Sequence, residues 1–158
     1  MILVTGGAGF IGANFVLDWL AAGDEAVLNL DALTYAGNLD SLSSLQGDAR
    51  HVFVHGDITD RALIDRLFAE QRPRAVVHFA AHCFVGESVT DPAKYYVNKL
   101  LNSVNLLERV RKHDVKRFVF SSTCATYGVP EKVPIDESNP QRPINPYGFI
   151  PFVIFPNQ

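Results

Sequence analysis

The chain has 158 residues, 47% hydrophobic and 20% charged, with 14 Lys+Arg against 17 Asp+Glu and a formal net charge of -3. That is the composition of one globular domain able to bury a core. Without a Lys/Arg block it argues against nucleic acid or an anionic membrane as the main partner. No apolar run approaches the roughly 20 residues of a membrane helix, and no basic region precedes the N-terminal apolar run as in a signal peptide. Cys83 and Cys124 form neither C-x-x-C nor a disulfide framework, so a cytoplasmic location is expected.

Two periodicities alternate along the chain. "ILVT" (2–5) reads as a short buried strand. "FIGANFVLDWLAAGD" follows with helical spacing that puts Ile11, Phe15, Trp19 and Leu20 on one face, with Gly23 as a stop. "EAVLNLD" and "HVFVHGD" are the second and third strands. "DRALIDRLFAEQ" is a helix capped by Asp60 with a stripe of Leu63, Ile64, Leu67 and Phe68. "RAVVHFAA" is a fourth strand. Asp91-Pro92 suits the N-cap and first position of a long helix over 92–112, whose expected buried face is Val97, Leu100, Leu101, Val104, Leu107 and Val110. "KRFVFSS" is the fifth strand. Alternating strands and helices predict an α/β fold: a doubly wound parallel sheet with right-handed crossovers, incomplete, five strands in order 3-2-1-4-5.

The first strand runs into "VTGGAGFIG". Gly7, Gly9 and Gly12 fit G-x-G-x-x-G, and Gly6 gives the related G-x-x-G-x-x-G. Such glycines permit a sharp strand-to-helix turn, close backbone approach to a pyrophosphate, and close helix–strand packing; the helix start offers N–H groups and a positive dipole end. Between a strand and a helix, the pattern predicts dinucleotide binding. Nineteen residues past Gly12, at the end of the second strand, stands Asp31. A carboxylate there accepts ribose hydroxyls and repels a 2′-phosphate, favouring NAD over NADP. In an open parallel sheet ligands bind beyond the strands' carboxyl ends, which adds Asp57-Ile58 (an adenine edge), Phe79-Ala80-Ala81 (small residues that let cofactor pass), Ser121-Ser122-Thr123, and Tyr147 after a loop.

Together "TGGAGFIG", "GDITD", "HFAA", "SSTCATYG" and "NPYG" resemble the extended short-chain dehydrogenase/reductase family, in its nucleotide-sugar epimerase/dehydratase branch, from residue 1 to about 148. "LNLDALTYAGNLDSL" is similar to dTDP-glucose 4,6-dehydratases. "HFAAHCFVGESVTDPAKYYVNKLLNSVNLLE" and "FVFSSTCATYGVPEKVPIDESNPQRPINPYG" are similar to UDP-glucose 4-epimerases. The change falls near "VVHFAA", as it would in a recombined gene. The resemblance implies bound NAD, held by Gly6, Gly9, Phe10, Ile11, Gly12, Asp31, Ala32, Thr34, Asp57, Ile58, Phe79, Ala80, Ala81, Cys83, Asn98 and Tyr147. It implies a nucleotide-sugar substrate, and a homodimer in which the long helix could take part.

The same resemblance separates two chemistries. In the dehydratases the segment after the fifth strand is similar to T-D-E-x-Y-G, whose Asp and Glu are the acid and base of water elimination. Here Thr123 is followed by Cys124 and Ala125. Alanine moves no proton, and a thiol is a poor stand-in for a carboxylic acid. The 4-epimerase reading needs neither: Tyr147 takes the sugar's 4-hydroxyl proton, Thr123 bridges the sugar oxygen and Tyr147, and a hydride passes from C4 to NAD+, giving a 4-keto sugar that turns over and takes the hydride back on its other face. The alternatives are a dehydratase fragment and a non-catalytic NAD-binding fragment. The family pattern is Tyr-x-x-x-Lys on a helix, which sets an ammonium one turn from the phenol and lowers its pKa. The fourth residue after Tyr147 is Pro151, which carries no charge and is expected to break the helix.

The tail "FIPFVIFPNQ" shows neither helical nor strand period and resembles nothing in the family. The expected organisation is an NAD-binding domain over 1–148 and an aberrant, exposed apolar tail over 149–158. The reading frame is expected to be disrupted just after Tyr147, with the sugar-binding domain absent and turnover lost. His51 and His55 share a strand face, but two histidines with no third ligand predict no metal site. His78 and His82 read as packing or backbone hydrogen-bonding residues. Cys83 stands where some epimerases carry a lysine reaching the cofactor, and by residue type it reads as packing. Tyr95 and Tyr96 read as helix packing.

Overall fold

Short apolar runs with no polar alternation make strands that are covered on both faces. In the computed structural model, which describes residues 1–154, β1 (Ile2–Thr5), β2 (Val27–Asp31) and β4 (Ala75–His78) are buried at every position. β3 (His51–His55) and β5 (Arg117–Phe120) are more open. All pairings are parallel and the order is β3-β2-β1-β4-β5, so the expected Rossmann-like topology is the one formed. β5 is an edge strand, with Val119 58% exposed.

Successive side chains of a strand point to opposite faces, so each strand feeds two cores. Ile2, Val4, Val27 and Val77 pack with Ala13, Val16 and Leu20 of α1 (Phe10–Ala22). Leu3, Leu28, Leu30 and Val76 pack on the other face. Their partners are Ile64, Leu67 and Phe68 of α2 (Arg61–Gln71) and Leu106 and Val110 of α5 (Asn102–Lys112). Asp60 caps α2 as its position predicts, its carboxylate accepting the Leu63 N–H at 2.9 Å. In α1 the expected face is shifted: Ile11 is 62% exposed, while Gly12, Ala13, Val16 and Leu20 are buried. Gly23 does end that helix, with extended backbone.

Met1–Ala80 with Asn105–Ser121 make up one compact unit, which holds the whole sheet. Ala81–Val104 and the residues from Ser122 onward make up a second. The second unit contains α3 (Val85–Thr90), α4 (Pro92–Tyr95), a π-helical stretch (Tyr96–Leu101), a 3-10 turn (Cys124–Tyr127) and α6 (Pro146–Ile154). Asp91 and Pro92 open α4 as cap and first residue, Asp91 accepting the Lys94 N–H at 3.3 Å.

Two expectations fail in this second unit. The first is the buried stripe of the long helix. Val97, Leu101 and Val104 are 52%, 59% and 43% exposed, whereas Tyr95, Lys99, Asn102 and Ser103 are buried; Leu100 and Leu107 are half-buried, and Val110 is buried as expected. The π-helical turn adds a residue to the helical repeat and re-aims the side chains that follow, so counting at 3.6 residues per turn selects the wrong face. The second is the tail. α6 continues through Pro151 to Ile154, with Ile150 fully buried and Pro151 buried, so residues 149–154 are not a free, unstructured tail. Pro151 removes one helical hydrogen bond, a cost of ~3 kcal/mol, which burial of Ile150 at about 1.5–3 kcal/mol largely offsets. The remainder of the expected tail, 155–158, lies outside the described residues.

Candidate functional site

The glycine loop between β1 and α1 is built as the motif requires. Gly6 has φ +75°, and a Cβ there would stand 2.6 Å from the Ala80 amide nitrogen. A Cβ on Gly12 would stand 2.2 Å from the Gly6 carbonyl oxygen. Only glycine fits either place; a Cβ on Gly7 would also stand 2.2 Å from the Asn29 side-chain oxygen, whereas at Gly9 no atom is nearer than 3.4 Å. Gly9 is the N-cap of α1, whose first turn has no side-chain cap and no acidic residue. The N–H groups opening α1 therefore lack an internal partner, and Phe10 and Ile11 around them are exposed at 84% and 62%. This opening fits a diphosphate.

Asp31 lies at the carboxyl end of β2, 7% exposed. Its Oδ2 accepts the Ala8 N–H and its Oδ1 the Leu33 N–H, both at 2.8 Å. The carboxylate thus ties the glycine loop to its own strand end and keeps lone pairs for a further donor. Ala32 and Thr34 continue this loop, their carbonyls approached by His55 Nε2 at 3.3 Å and by the Gly37 N–H at 3.1 Å. Asp57 turns the chain after β3 by accepting the Thr59 N–H at 2.8 Å, while Ile58 is 6% exposed in the core. Phe79 and Ala80 follow β4, with the Phe79 ring tilted against Phe15 at 5.5 Å between centroids. His78 is buried against Phe118 and Phe120, the packing role expected of it, and is hydrogen-bonded through Nδ1 to the Thr5 hydroxyl at 2.6 Å. His51 meets Asn29 Nδ2 at 3.2 Å.

In the second unit Ala81 is exposed, and Asn98 Oδ1 accepts the His82 N–H at 2.8 Å. Asn98 is half-buried and positions the segment 81–83. Cys83 is exposed, which overturns the packing role read from its residue type; Cys124 is exposed as well. "NPYG" has a local reason. Asn145 Oδ1 accepts the Gly148 N–H at 2.9 Å, capping α6, and Pro146 is its first residue. A Cβ on Gly148 would lie 2.3 Å from the Ala125 carbonyl oxygen. Glycine therefore lets α6 sit against the turn that carries Thr123, and the Thr123 hydroxyl reaches the Tyr147 phenol. Burial raises the Tyr147 pKa above its ordinary value, and the thiols of Cys83 and Cys124 add to the rise; the Thr123 bond opposes it.

Residues 3–149 match the family model described as GDP-mannose 4,6 dehydratase. The chain belongs to the NAD-dependent epimerase/dehydratase family. Among its relatives is a UDP-glucose 4-epimerase of Halalkalibacterium halodurans, 47% identical over 147 residues, covering 93% of this chain and 42% of that protein. Another is a dTDP-glucose 4,6-dehydratase of Xanthomonas campestris pv. campestris, 46% identical over 155 residues, covering 92% of this chain and 44% of that one. The crystal structure of a UDP-glucose 4-epimerase from Bifidobacterium longum, in complex with NAD+ and UDP, superposes with a TM-score of 0.89 at 37% identity. It covers 96% of this chain and 46% of that one. The chain thus spans about two-fifths of the length of these curated relatives, and similarity alone does not separate epimerase from dehydratase.

Against the family's Tyr-x-x-x-Lys pattern, one residue was not foreseen. Lys99, on the π-helical stretch, is 5% exposed, with its Nζ 3.5 Å from the centroid of the Tyr147 ring. Burial lowers its pKa to about 8, with the Cys83 thiol acting in the opposite direction. A lysine among apolar residues of a helix signals a solvated side chain by default; only the fold reveals this one as buried.

Proposed function

We propose that this chain binds NAD and carries the proton-transfer pair of a UDP-sugar 4-epimerase, in the cytoplasm. The observation that carries the epimerase reading is the Thr123 hydroxyl beside the Tyr147 phenol, in a turn whose next two side chains are a thiol and a methyl group. A dehydratase needs an acid and a base where Cys124 and Ala125 stand, and Ala125 cannot serve. Gly6, Gly9, Gly12 and the α1 N–H groups would hold the diphosphate, and Asp31 a ribose. Asp57, Ile58, Phe79, Ala80, Ala81, Cys83 and Asn98 would line the remainder.

When bound, NAD supplies the acceptor and donor of a hydride at sugar C4. Tyr147 takes and returns the 4-hydroxyl proton, and Thr123 holds the sugar oxygen and the phenol together. Asn98 fixes the segment 81–83 through the His82 N–H. The exposed Val97, Leu101 and Val104 offer an apolar surface for a second copy.

The second reading, a non-catalytic NAD-binding chain, is favoured by Pro151 in place of the family lysine. With its phenol raised by burial, Tyr147 holds less than about one phenolate in a thousand at pH 7. This polypeptide alone is therefore expected to show no turnover. The test has two parts. Fluorescence titration is expected to give tighter binding of NADH than of NADPH, a preference lost in Asp31→Ala; equal affinities in the parent would sink the Asp31 assignment. UDP-galactose and NAD+ are then incubated with this chain, and with a chain joined after Gly148 to the C-terminal region of a full-length epimerase. UDP-glucose is followed by a coupled dehydrogenase. UDP-glucose from the joined chain alone supports the proposal, and a 4-keto-6-deoxy sugar in its place would favour the dehydratase.

A further inference from the structure

We infer that Lys99 is a positioning residue for Tyr147: its ammonium, delivered from the long helix rather than from the fourth position after the tyrosine, controls the ionisation of the phenol. This rests on the reading of Tyr147 as the proton-transfer residue. Nζ stands 3.5 Å over the ring centroid, so the charge lies against the π face with the phenol oxygen just beyond the ring edge, within the roughly 4–6 Å over which a charge shifts a neighbour's pKa. Lysine is almost never fully buried unless paired, yet Lys99 is 5% exposed, and no salt bridge among the described residues includes it. Its partner is the aromatic ring. A methionine would fill the same space without a charge to desolvate.

The backbone supports the same conclusion. The helix departs from α geometry over Tyr96–Leu101, and such π segments recur at functional sites. Within it, consecutive residues face the same neighbourhood: Asn98 holds the His82 N–H, and Lys99 meets Tyr147. Pro151, four residues past Tyr147, lies in α6 and offers no cation.

Lys99 and Tyr147 then form one titrating pair. Burial pushes the amine down to about 8 and the phenol up, so the ammonium is lost before the phenol ionises unless a phenolate beside it holds that proton on the amine, and the steps belong to the pair. The proton leaving the phenol creates a phenolate beside an ammonium, in place of an isolated buried anion. The surrounding titratable groups do not supply this cation. Cys83 acts on both members and Cys124 on Tyr147, each as a potential anion. Tyr95, whose ring is 6.5 Å from that of Tyr147, donates its hydroxyl to Glu87. Glu87 also binds Lys94, and His82 lies against Tyr95.

The test is the titration of Tyr147 by NMR in protein labelled with 13Cζ-tyrosine, the signal assigned through Tyr147→Phe. Lys99→Arg, whose guanidinium stays charged, is expected to hold about tenfold more Tyr147 phenolate at pH 9 than Lys99→Met, with the parent between the two because Lys99 is itself losing its proton there. Superimposable Tyr147 curves in parent and Lys99→Met would overturn the inference, with the other tyrosine signals reporting that the variant is folded. Should Lys99→Met not fold, the reciprocal measurement decides. By linkage, Tyr147→Phe must alter the Lys99 13Cε titration of the folded chain; an unchanged curve overturns the inference. Neither readout uses turnover. Coupled titration together with an active Tyr147→Phe joined chain would discard the catalytic reading of Tyr147 and leave the ionisation result standing.

Discussion

Replacing Lys99 with Met should stabilise the chain below pH 8 and lose that advantage as the pH approaches 10.5. Burial lowers the Lys99 pKa from 10.5 in the unfolded chain to about 8 in the fold. At 1.36 kcal/mol per decade that is a penalty of about 3 kcal/mol for holding the buried charge. Below pH 8 both states bind the proton and the penalty is complete. Between pH 8 and 10.5 the unfolded chain binds a proton that the folded chain lacks, so stability rises with pH; above 10.5 the penalty is gone. The contact with the Tyr147 ring favours the ammonium by up to about 2 kcal/mol when desolvated, which reduces the expected net effect to about 1–3 kcal/mol. Urea unfolding of parent and Lys99→Met, followed by far-UV circular dichroism from pH 7 to 10.5, gives the difference directly. A Cys83→Ser background removes the neighbouring thiol. A stability difference that does not change with pH would refute the reasoning, because it would mean Lys99 binds its proton equally well folded and unfolded.

Three further outcomes are expected. Gly12→Ala places a methyl 2.2 Å from the Gly6 carbonyl and should push α1 away from β1, lowering the unfolding midpoint and raising the NADH dissociation constant at least about tenfold. Ile150→Ala should cost about 2–5 kcal/mol, since Ile150 is fully buried in α6; no loss of stability in urea would return residues 149–154 to the status of a free tail. Glu25 binds Arg74 at 2.5 Å and the N-terminal ammonium at 3.1 Å; the Arg74 hydrogen bond, ahead of the N-terminal contacts, holds its pKa down to about 2. Glu25→Gln should therefore cost about 1 kcal/mol at pH 7, allowing for solvent screening at this partly exposed pair. The cost should fade as the pH drops from 4.5 toward 2, as acid unfolding of the two proteins would show.

Much of the fold and half of the candidate site were legible because the relevant rules are local. The apolar runs of β1, β2 and β4, the caps at Asp60 and Asp91-Pro92, and the spacing of Gly6, Gly9, Gly12 and Asp31 all constrain residues that are near neighbours in the chain. A glycine that must turn with positive φ, or lie where no Cβ fits, announces itself in one dimension. The rest depended on packing between distant segments. The π-helical turn at Tyr96–Leu101 rotates the long helix away from the face its 3.6-residue period selects, and leaves Val97, Leu101 and Val104 exposed. α6 persists through Pro151 because Ile150 is buried, a compensation that helix propensity does not contain. Lys99 and Tyr147 are 48 positions apart. Their contact exists because the π turn aims one inward and Gly148 lets the helix of the other lie against Ala125. The sequence by itself determined which backbone could approach a diphosphate. Only the tertiary structure decided which cation meets the phenol, since a charge acts through space and its partner need not be a neighbour in the chain.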